Sequence, residues 1–294
     1  LDNGWSTTGS MLLTEDAALS SSWASLTMGG MGTIVVGNGY GGLGASFDDA
    51  TPRAYEENHD GMKTSTVLDN LGASHDNGQI LYDSPSIDLM GASVSFGLEY
   101  APEASDAAVG DGEVSTSSNL WSSASGARVN LSYGPLSAGA YGYEISSDQD
   151  NSNGVQSRDG DAMGATWFAT YSAGPVSIGY QIAGLDNQVS GAGEAATNAK
   201  TVAAATGIFE AEQISIAFNV NDDLSLSWSE MSSTYDPQNH SNTGVDEVGV
   251  DEKHESLQLA YSMGGMSVKA YTTEITNPNF DEDAETVTKN EIAL

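Results

Sequence analysis

Apolar and polar residues alternate along most of this chain. Val94/Phe96/Leu98/Tyr100, Val129/Leu131/Tyr133, Val176/Ile178/Tyr180/Ile182, Ile214/Ile216/Phe218/Val220, Leu224/Leu226/Trp228 and Leu257/Leu259/Tyr261/Met263 each place bulky apolar side chains at every second position. Ser, Gly, Gln, Asn, Ala and Thr fill the places between. Each segment therefore has one apolar face and one small or polar face, the period-two signature of a strand. The rhythm predicts fourteen strands, at about 8–14, 21–28, 31–36, 79–84, 91–100, 126–133, 136–145, 162–172, 175–183, 210–220, 223–231, 255–263, 266–275 and 286–294. Within 126–133 the parity places Arg128, Asn130 and Ser132 opposite Val129, Leu131 and Tyr133.

The connections alternate in length. Short ones fall near 29–30, 85–91, 134–135, 173–175, 221–223 and 264–265; long ones cover 37–77, 101–125, 146–161, 184–207, 232–254 and 275–285. Gly134-Pro135, Gly174-Pro175, Asn221-Asp222-Asp223 and Gly264-Gly265 carry turn chemistry. An antiparallel up-and-down β-barrel inserted through a bilayer from one side has this asymmetry, with tight turns at one rim and long loops at the other. A soluble sandwich shares the local pattern but turns its apolar faces inward. Three features favour the all-β transmembrane barrel, a single domain over 1–294: no strand is apolar on both faces, strand lengths cluster near the ~9–11 residues of a tilted membrane strand, and aromatics lie near strand ends. Tyr133 and Tyr171 precede the Gly-Pro turns and, with Trp228 and Tyr261, read as an interfacial aromatic girdle. A short helix at 195–205 is a further expectation.

Composition narrows the functions. Mean hydropathy is -0.27, and no run approaches the ~18–20 apolar residues of a membrane helix. The absence of cysteine removes thiolate chemistry, thiolate metal sites and disulfides. Eight Lys plus Arg against 41 Asp plus Glu give a net charge of -33. That balance disfavours nucleic acid as a partner, because phosphate contacts need a basic stripe. It fits either a saline habitat or an acidic, water-filled lumen that attracts cations. Leu1-Asp2-Asn3-Gly4-Trp5 has neither a basic start nor an apolar core, so the sequence reads as mature or as a fragment.

The segment from Thr33 to Gly42 contains a strand followed by Gly37-Asn38-Gly39-Tyr40-Gly41-Gly42, the form of a dinucleotide fingerprint. That chemistry needs a helix N-terminus next. Leu43-Gly44-Ala45-Ser46-Phe47-Asp48-Asp49-Ala50-Thr51-Pro52 has no helical apolar stripe, so the glycines read as a strand exit. The loop that follows, 37–77, is the longest connection, and loops of that length are functional or disordered. It carries Asp48, Asp49, Glu56, Glu57, Asp60, Asp69 and Asp76 against Arg53 and Lys63, with Phe47, Tyr55 and Leu68 as apolar anchors.

Gly32-Thr33-Ile34-Val35-Val36-Gly37-Asn38-Gly39, a long acidic loop, and then Asp76-Asn77-Gly78-Gln79-Ile80-Leu81-Tyr82-Asp83-Ser84-Pro85 together resemble the Gram-negative general diffusion porins, especially those of alphaproteobacteria. The resemblance is distinctive over 21–100 and architectural elsewhere. It implies a sixteen-stranded homotrimeric barrel whose first two strands and last few residues lie outside this sequence. It implies a third loop folded inward, with Asp48, Asp49, Glu56, Glu57 and Asp60 as acidic constriction residues. Arg128 and Lys269, lumen-facing by parity, and Arg53 are the basic counterparts. Two features depart from the family: where it clusters several arginines this chain has only Arg53, Arg128 and Arg158, and the chain ends Ile292-Ala293-Leu294 rather than on an aromatic residue. The implied partners are the lipid bilayer, lipopolysaccharide and small hydrophilic solutes.

Two functional classes follow. The first is a passive, cation-preferring channel for ions and small hydrophilic solutes, selective through a narrowed polar lumen and charged rings. The second is an acidic structural or adhesive surface β-protein. No enzyme is expected, and no cofactor is required. His59, His75, His240 and His254 fall in or beside predicted loops without metal-ligand spacing and read as solvated. The Asp-rich stretches 148–150, 246–252 and 281–283 are the candidates for Ca²⁺, without EF-hand spacing.

Overall fold

The alternation becomes one antiparallel meander in the computed structural model, which describes residues 3–13, 19–58, 67–68, 71, 78–102, 121–147, 161–186, 207–236 and 250–294. The strands are β1 (Ser6–Leu13), β2 (Leu19–Thr27), β3 (Thr33–Asn38), β4 (Gln79–Asp83), β5 (Ile87–Leu89), β6 (Ala92–Ala101), β7 (Trp121–Tyr133), β8 (Leu136–Ser147), β9 (Ala162–Ala173), β10 (Val176–Asp186), β11 (Ile208–Asn219), β12 (Leu224–Asp236), β13 (Glu252–Met263), β14 (Met266–Thr276) and β15 (Val287–Ala293). Each pairs with its neighbours in chain order, except that β4 and β5 share β6 as one interrupted strand. Pro85 causes the interruption, because it has no N–H for the ladder. Ser84 bridges the gap: its N–H donates to Phe96 O (2.9 Å), and its Oγ accepts from Phe96 N–H (2.8 Å). Counted this way the meander has, among the described residues, the fourteen strands that the alternation predicts. Among the described residues β1 and β15 each pair on one side only. The 195–205 helix and the acidic stretch 148–150 lie outside the described residues.

Register fixes the faces. Ile178, Ile216, Trp228 and Leu257 are direct neighbours across β10–β13 and point outward. Ile214 and Leu257 are 49% and 57% exposed, so the aliphatic rows cover the outside of the sheet and are not a dry interior. Leu257, Leu259, Tyr261 and Met263 span about 20 Å of strand at ~3.3 Å per residue, close to the ~25 Å apolar belt of membrane barrels. Tyr133, Tyr171 and Tyr261 stand exposed at the short-turn edge of this belt. Trp228 sits at its opposite edge, where its indole N–H donates to Glu255 (2.9 Å).

Above the belt the faces exchange roles, which corrects the expectation of one apolar side per strand. Beyond Ile214 the outward positions of β11 are Glu212 and Glu210; beyond Trp228 those of β12 are Glu230, Ser232 and Thr234. The inward positions at the same height include a large apolar set beside the buried Ser233, His254 and Glu252. Leu185, Phe209, Ala211, Met231 and Tyr235 form a buried cluster with Val67, Leu68, Leu71 and Phe280. Phe209 stacks on Tyr235 with centroids 4.2 Å apart. A strand that leaves an apolar medium for water gains nothing from an oily exterior, so its hydrophobic side turns to the inside.

The fingerprint-like glycines are a strand exit. β3 lies antiparallel between β2 and β4, and a short 3-10 turn, Leu43–Ser46, follows. A Cβ on Gly37 would collide with the Ser22 carbonyl oxygen and the Trp23 backbone. Gly37→Ala is therefore expected to cost about 2–3 kcal/mol and to cut the yield of folded protein sharply. Gel mobility of unheated against boiled sample checks this, and an unchanged folded band would refute the steric argument.

Candidate channel constriction

Residues 39–58 are laid across the inner face of the sheet and meet its strands in order. Gly41 O accepts from Gln79 Nε2 on β4 (3.0 Å), and Leu43 N–H donates to the buried Glu99 on β6 (2.7 Å). Ser46 Oγ accepts from Arg128 on β7 (3.3 Å). Phe47 lies against Tyr141 of β8 and Phe168 of β9, at centroid separations of 5.8 and 5.6 Å. Asn58 closes the series by donating to His254 O on β13 (3.5 Å).

Three glutamines and a serine hold the middle of the loop. Gln181 on β10 donates to Phe47 O (2.6 Å) and accepts from Ala50 N–H (2.9 Å). Gln258 on β13 donates to Glu56 O (2.6 Å) and accepts from Tyr55 N–H (3.0 Å). Each carboxamide thus pairs with the loop as a backbone peptide would, because it carries both donor and acceptor. Gln213 on β11, the direct cross-strand neighbour of Gln181, donates to Asp49 Oδ1 (2.8 Å) and Thr51 Oγ1 (2.6 Å). Ser227 on β12, paired with Gln258, accepts from Ala54 N–H (2.9 Å). The in-strand glutamines are the signal for these wall residues, since they stand at inward parity among Ser and Ala.

The structure separates the expected acidic residues. Asp49 is buried, and its Oδ1 also accepts from Thr51 N–H (3.0 Å) and Thr51 Oγ1 (2.8 Å), so it fastens the loop. Asp48 caps Asp49 N–H (2.8 Å) and is partly exposed. Glu56 and Glu57 are partly exposed. Asp60 lies outside the described residues.

The basic residues are already engaged. Arg53 belongs to the loop, donating to Asp49 O (2.6 Å) and Glu57 Oε1 (3.0 Å). Arg128 pairs with Asp83 of the wall rather than with a loop carboxylate. Lys269 lies over the Tyr55 ring, 5.0 Å from its centroid. The Tyr55 hydroxyl donates to Glu291 on β15 (3.0 Å). That carboxylate, together with partial desolvation and Glu56, pushes Tyr55 up to about 12. The hydroxyl therefore keeps its proton, and its bond to Glu291, through the range in which a free tyrosine ionises.

His254 corrects the expectation of solvated loop histidines. It lies inside β13, wholly buried, with Nε2 2.8 Å from Glu252 Oε1. The strand continues beyond the apolar belt, and inward parity carries the ring into the wall. Glu252, in the acidic stretch 246–252, is buried and accepts from Asn279 N–H (2.6 Å). Asp281, Glu282 and Asp283 are exposed in a turn. Among the described residues no group of three or more His, Asp or Glu is placed to hold a metal ion.

No protein-family model and no curated protein matches the chain. Solved structures do. OmpF of Salmonella typhi, in a complex with daunomycin, superposes with TM-score 0.61 at 14% identity, over 98% of this chain and 85% of that one. The anion-selective porin of Comamonas acidovorans gives 0.59 at 11% identity, over 94% and 75%. OmpT of Vibrio cholerae gives 0.56 at 13%, over 99% and 83%. The chain has the fold of the Gram-negative outer-membrane porins.

Proposed function

We propose that this protein is a passive diffusion channel of the outer membrane, open to ions and small hydrophilic solutes and preferring cations. The observation that carries this reading is the loop of residues 39–58, strapped along the inner face by Gln181, Gln213, Ser227 and Gln258. A loop held there narrows a water-filled lumen without closing it, and the outward aliphatic rows suit the surrounding lipid. The proposed acidic constriction residues are Asp48, Asp49, Glu56, Glu57 and Asp60. Arg53, Arg128 and Lys269 are the proposed basic side.

The runs from Gly32 to Gly39 and from Asp76 to Pro85 support the alphaproteobacterial type of general porin, and with it a homotrimer in contact with lipopolysaccharide. Selectivity does not follow from the fold, since a porin named as anion-selective shares it. It follows here from charge: the net charge of -33, with Arg53 and Arg128 each paired to a carboxylate. Reversal potentials across a planar bilayer under a KCl gradient are expected to show K⁺ preference. Anion preference would overturn the selectivity, and a sample that inserts without conductance would overturn the channel.

A further inference from the structure

We infer that the hairpin tips Met28-Gly29-Gly30-Met31 and Met263-Gly264-Gly265-Met266 each bind one soft monovalent metal ion, Cu⁺ or Ag⁺, between two thioethers. The inference goes beyond the channel reading and does not depend on conduction. One four-residue sequence closes two different hairpins, β2–β3 and β13–β14, and both tips lie at the short-turn edge of the sheet.

Backbone geometry brings each pair of side chains to one side. Met263 and Met266 are direct cross-strand partners, so both leave the outward face, one row beyond Tyr261. Partners of this kind have Cβ atoms ~4.5–5.5 Å apart, and a flexible thioether chain can close that gap around an ion. Gly264, at φ 60°, makes the two-residue turn between them. At the other tip a 3-10 turn does the same work. Met31 N–H donates to Met28 O (3.4 Å), and in such a turn residues three apart stand one above the other. Met31, Met263 and Met266 are 54%, 53% and 47% exposed, and Met28 is partly exposed. A Cβ on Gly29, Gly30, Gly264 or Gly265 would meet nothing within 4 Å, so open space borders both pairs.

Apolar filling alone does not account for the pairs. The turns Gly134-Pro135 and Gly174-Pro175 have the same register, and there the flanking partners are Tyr133 with Leu136 and Ala173 with Val176. Hydrocarbon and aromatic groups suffice at those tips, whereas both partners carry sulfur at the Met-Gly-Gly-Met tips. Softness chooses the occupant. Neutral thioether sulfur selects Cu⁺, and Ag⁺ of the same class, over Na⁺, Mg²⁺ and Ca²⁺. The chain has no cysteine to compete for such an ion. Among the described residues the single histidine, His254, is buried at the opposite end of β13. The net charge of -33 raises the concentration of any cation near the protein.

The test is a silver nitrate titration of the refolded protein in micelles, in chloride-free buffer, followed by NMR of carbon-13-labelled methionine methyl groups. Met90 is the control: it is fully exposed at a third short turn, between Leu89 and Gly91, with no second sulfur beside it in the hairpin. The signals of Met28, Met31, Met263 and Met266 are expected to shift, with Met90 and the buried Met231 unmoved. Met266→Leu keeps the side-chain volume and is expected to weaken Ag⁺ binding at Met263 by about tenfold or more, through loss of the tethered second ligand. The Met28 and Met31 signals of that variant should respond as before. Should the variant fail to fold, Met90 in the unmodified protein still decides. Equal shifts at Met90, the same shifts with sodium or magnesium nitrate, or a Met263 response unaltered by Met266→Leu would overturn the inference. Conductance is recorded on the same samples: a channel without the selective shifts defeats this inference alone, and selective shifts without conductance defeat the channel reading alone.

Discussion

Replacing Gln181, Gln213 and Gln258 together with leucine is expected to free the loop while leaving the barrel folded. The three side chains make six hydrogen bonds to residues 47–56. At ~0.5–1.5 kcal/mol net for each, the set contributes on the order of 6 kcal/mol to holding the loop against the wall. Leucine also strands the N–H groups of Ala50 and Tyr55 against an apolar surface, at ~1–3 kcal/mol each. Holding ten residues still costs ~1–2 kcal/mol per residue in backbone entropy, so losing the clasp tips the balance toward a loose segment. The strand ladders are untouched, because they are bonds between backbones.

The expected readouts are larger current noise in single channels and faster entry of trisaccharides into proteoliposomes, with the heat-modifiable folded band retained. Gln181→Glu is the graded control: it keeps an acceptor for Ala50 N–H and loses the donor to Phe47 O. Noise and size exclusion equal to those of the unmodified channel would show that the loop is fastened elsewhere, at Phe47 and Tyr55.

The turn-side ends of the strands were legible because turn chemistry and alternation agree there. Gly134-Pro135, Gly174-Pro175 and Gly264-Gly265 bound β7–β8, β9–β10 and β13–β14 where expected. The far ends ran longer than expected, to Asp236 in β12 rather than about 231. Leu224, Leu226 and Trp228 occupy even positions, then Met231 and Tyr235 occupy odd ones. Read with a single phase, the alternation stops at Trp228. The backbone continues without a slip, and only the medium outside it changes, so the oily side moves to the inside. The same change of phase hid His254, which shares inward parity with Ser256 and Gln258.

The acidic loop stands out in the sequence by its length and charge, but the fate of each carboxylate was not legible. Asp49 and Glu57 look equivalent in sequence; one is buried under Gln213 and the other stands partly exposed beside Arg53. What distinguishes them is a wall residue 164 positions away, and no local pattern reports such a partner. The glutamines escaped for the same reason. Each looks like an ordinary polar filler on an inward face until the loop is laid over it.

Glu56→Gln with Glu57→Gln is expected to lower cation preference with little effect on assembly. Across residues 48–57 the change takes the local charge from -3 to -1. Asp49 is committed to Thr51 and Gln213, so Glu56 and Glu57 carry two of the three partly exposed carboxylates of that stretch, Asp48 being the third. The clasp survives, since Glu56 meets Gln258 through its backbone carbonyl, which glutamine keeps. Glu57 loses its charge toward Arg53, which leaves that guanidinium facing the lumen with only Asp49 to offset it. Two charges at ~5–8 Å from a permeating ion in a wet lumen amount to roughly 1–2 kcal/mol between cation and anion. The K⁺/Cl⁻ permeability ratio is therefore expected to fall about five- to thirtyfold in 0.1 M salt. Screening shortens to ~3 Å at 1 M, so the difference should shrink there. A ratio unchanged at 0.1 M would place both side chains away from the ion path; a change of equal size at both salt concentrations would make the effect steric, through a displaced loop, rather than electrostatic.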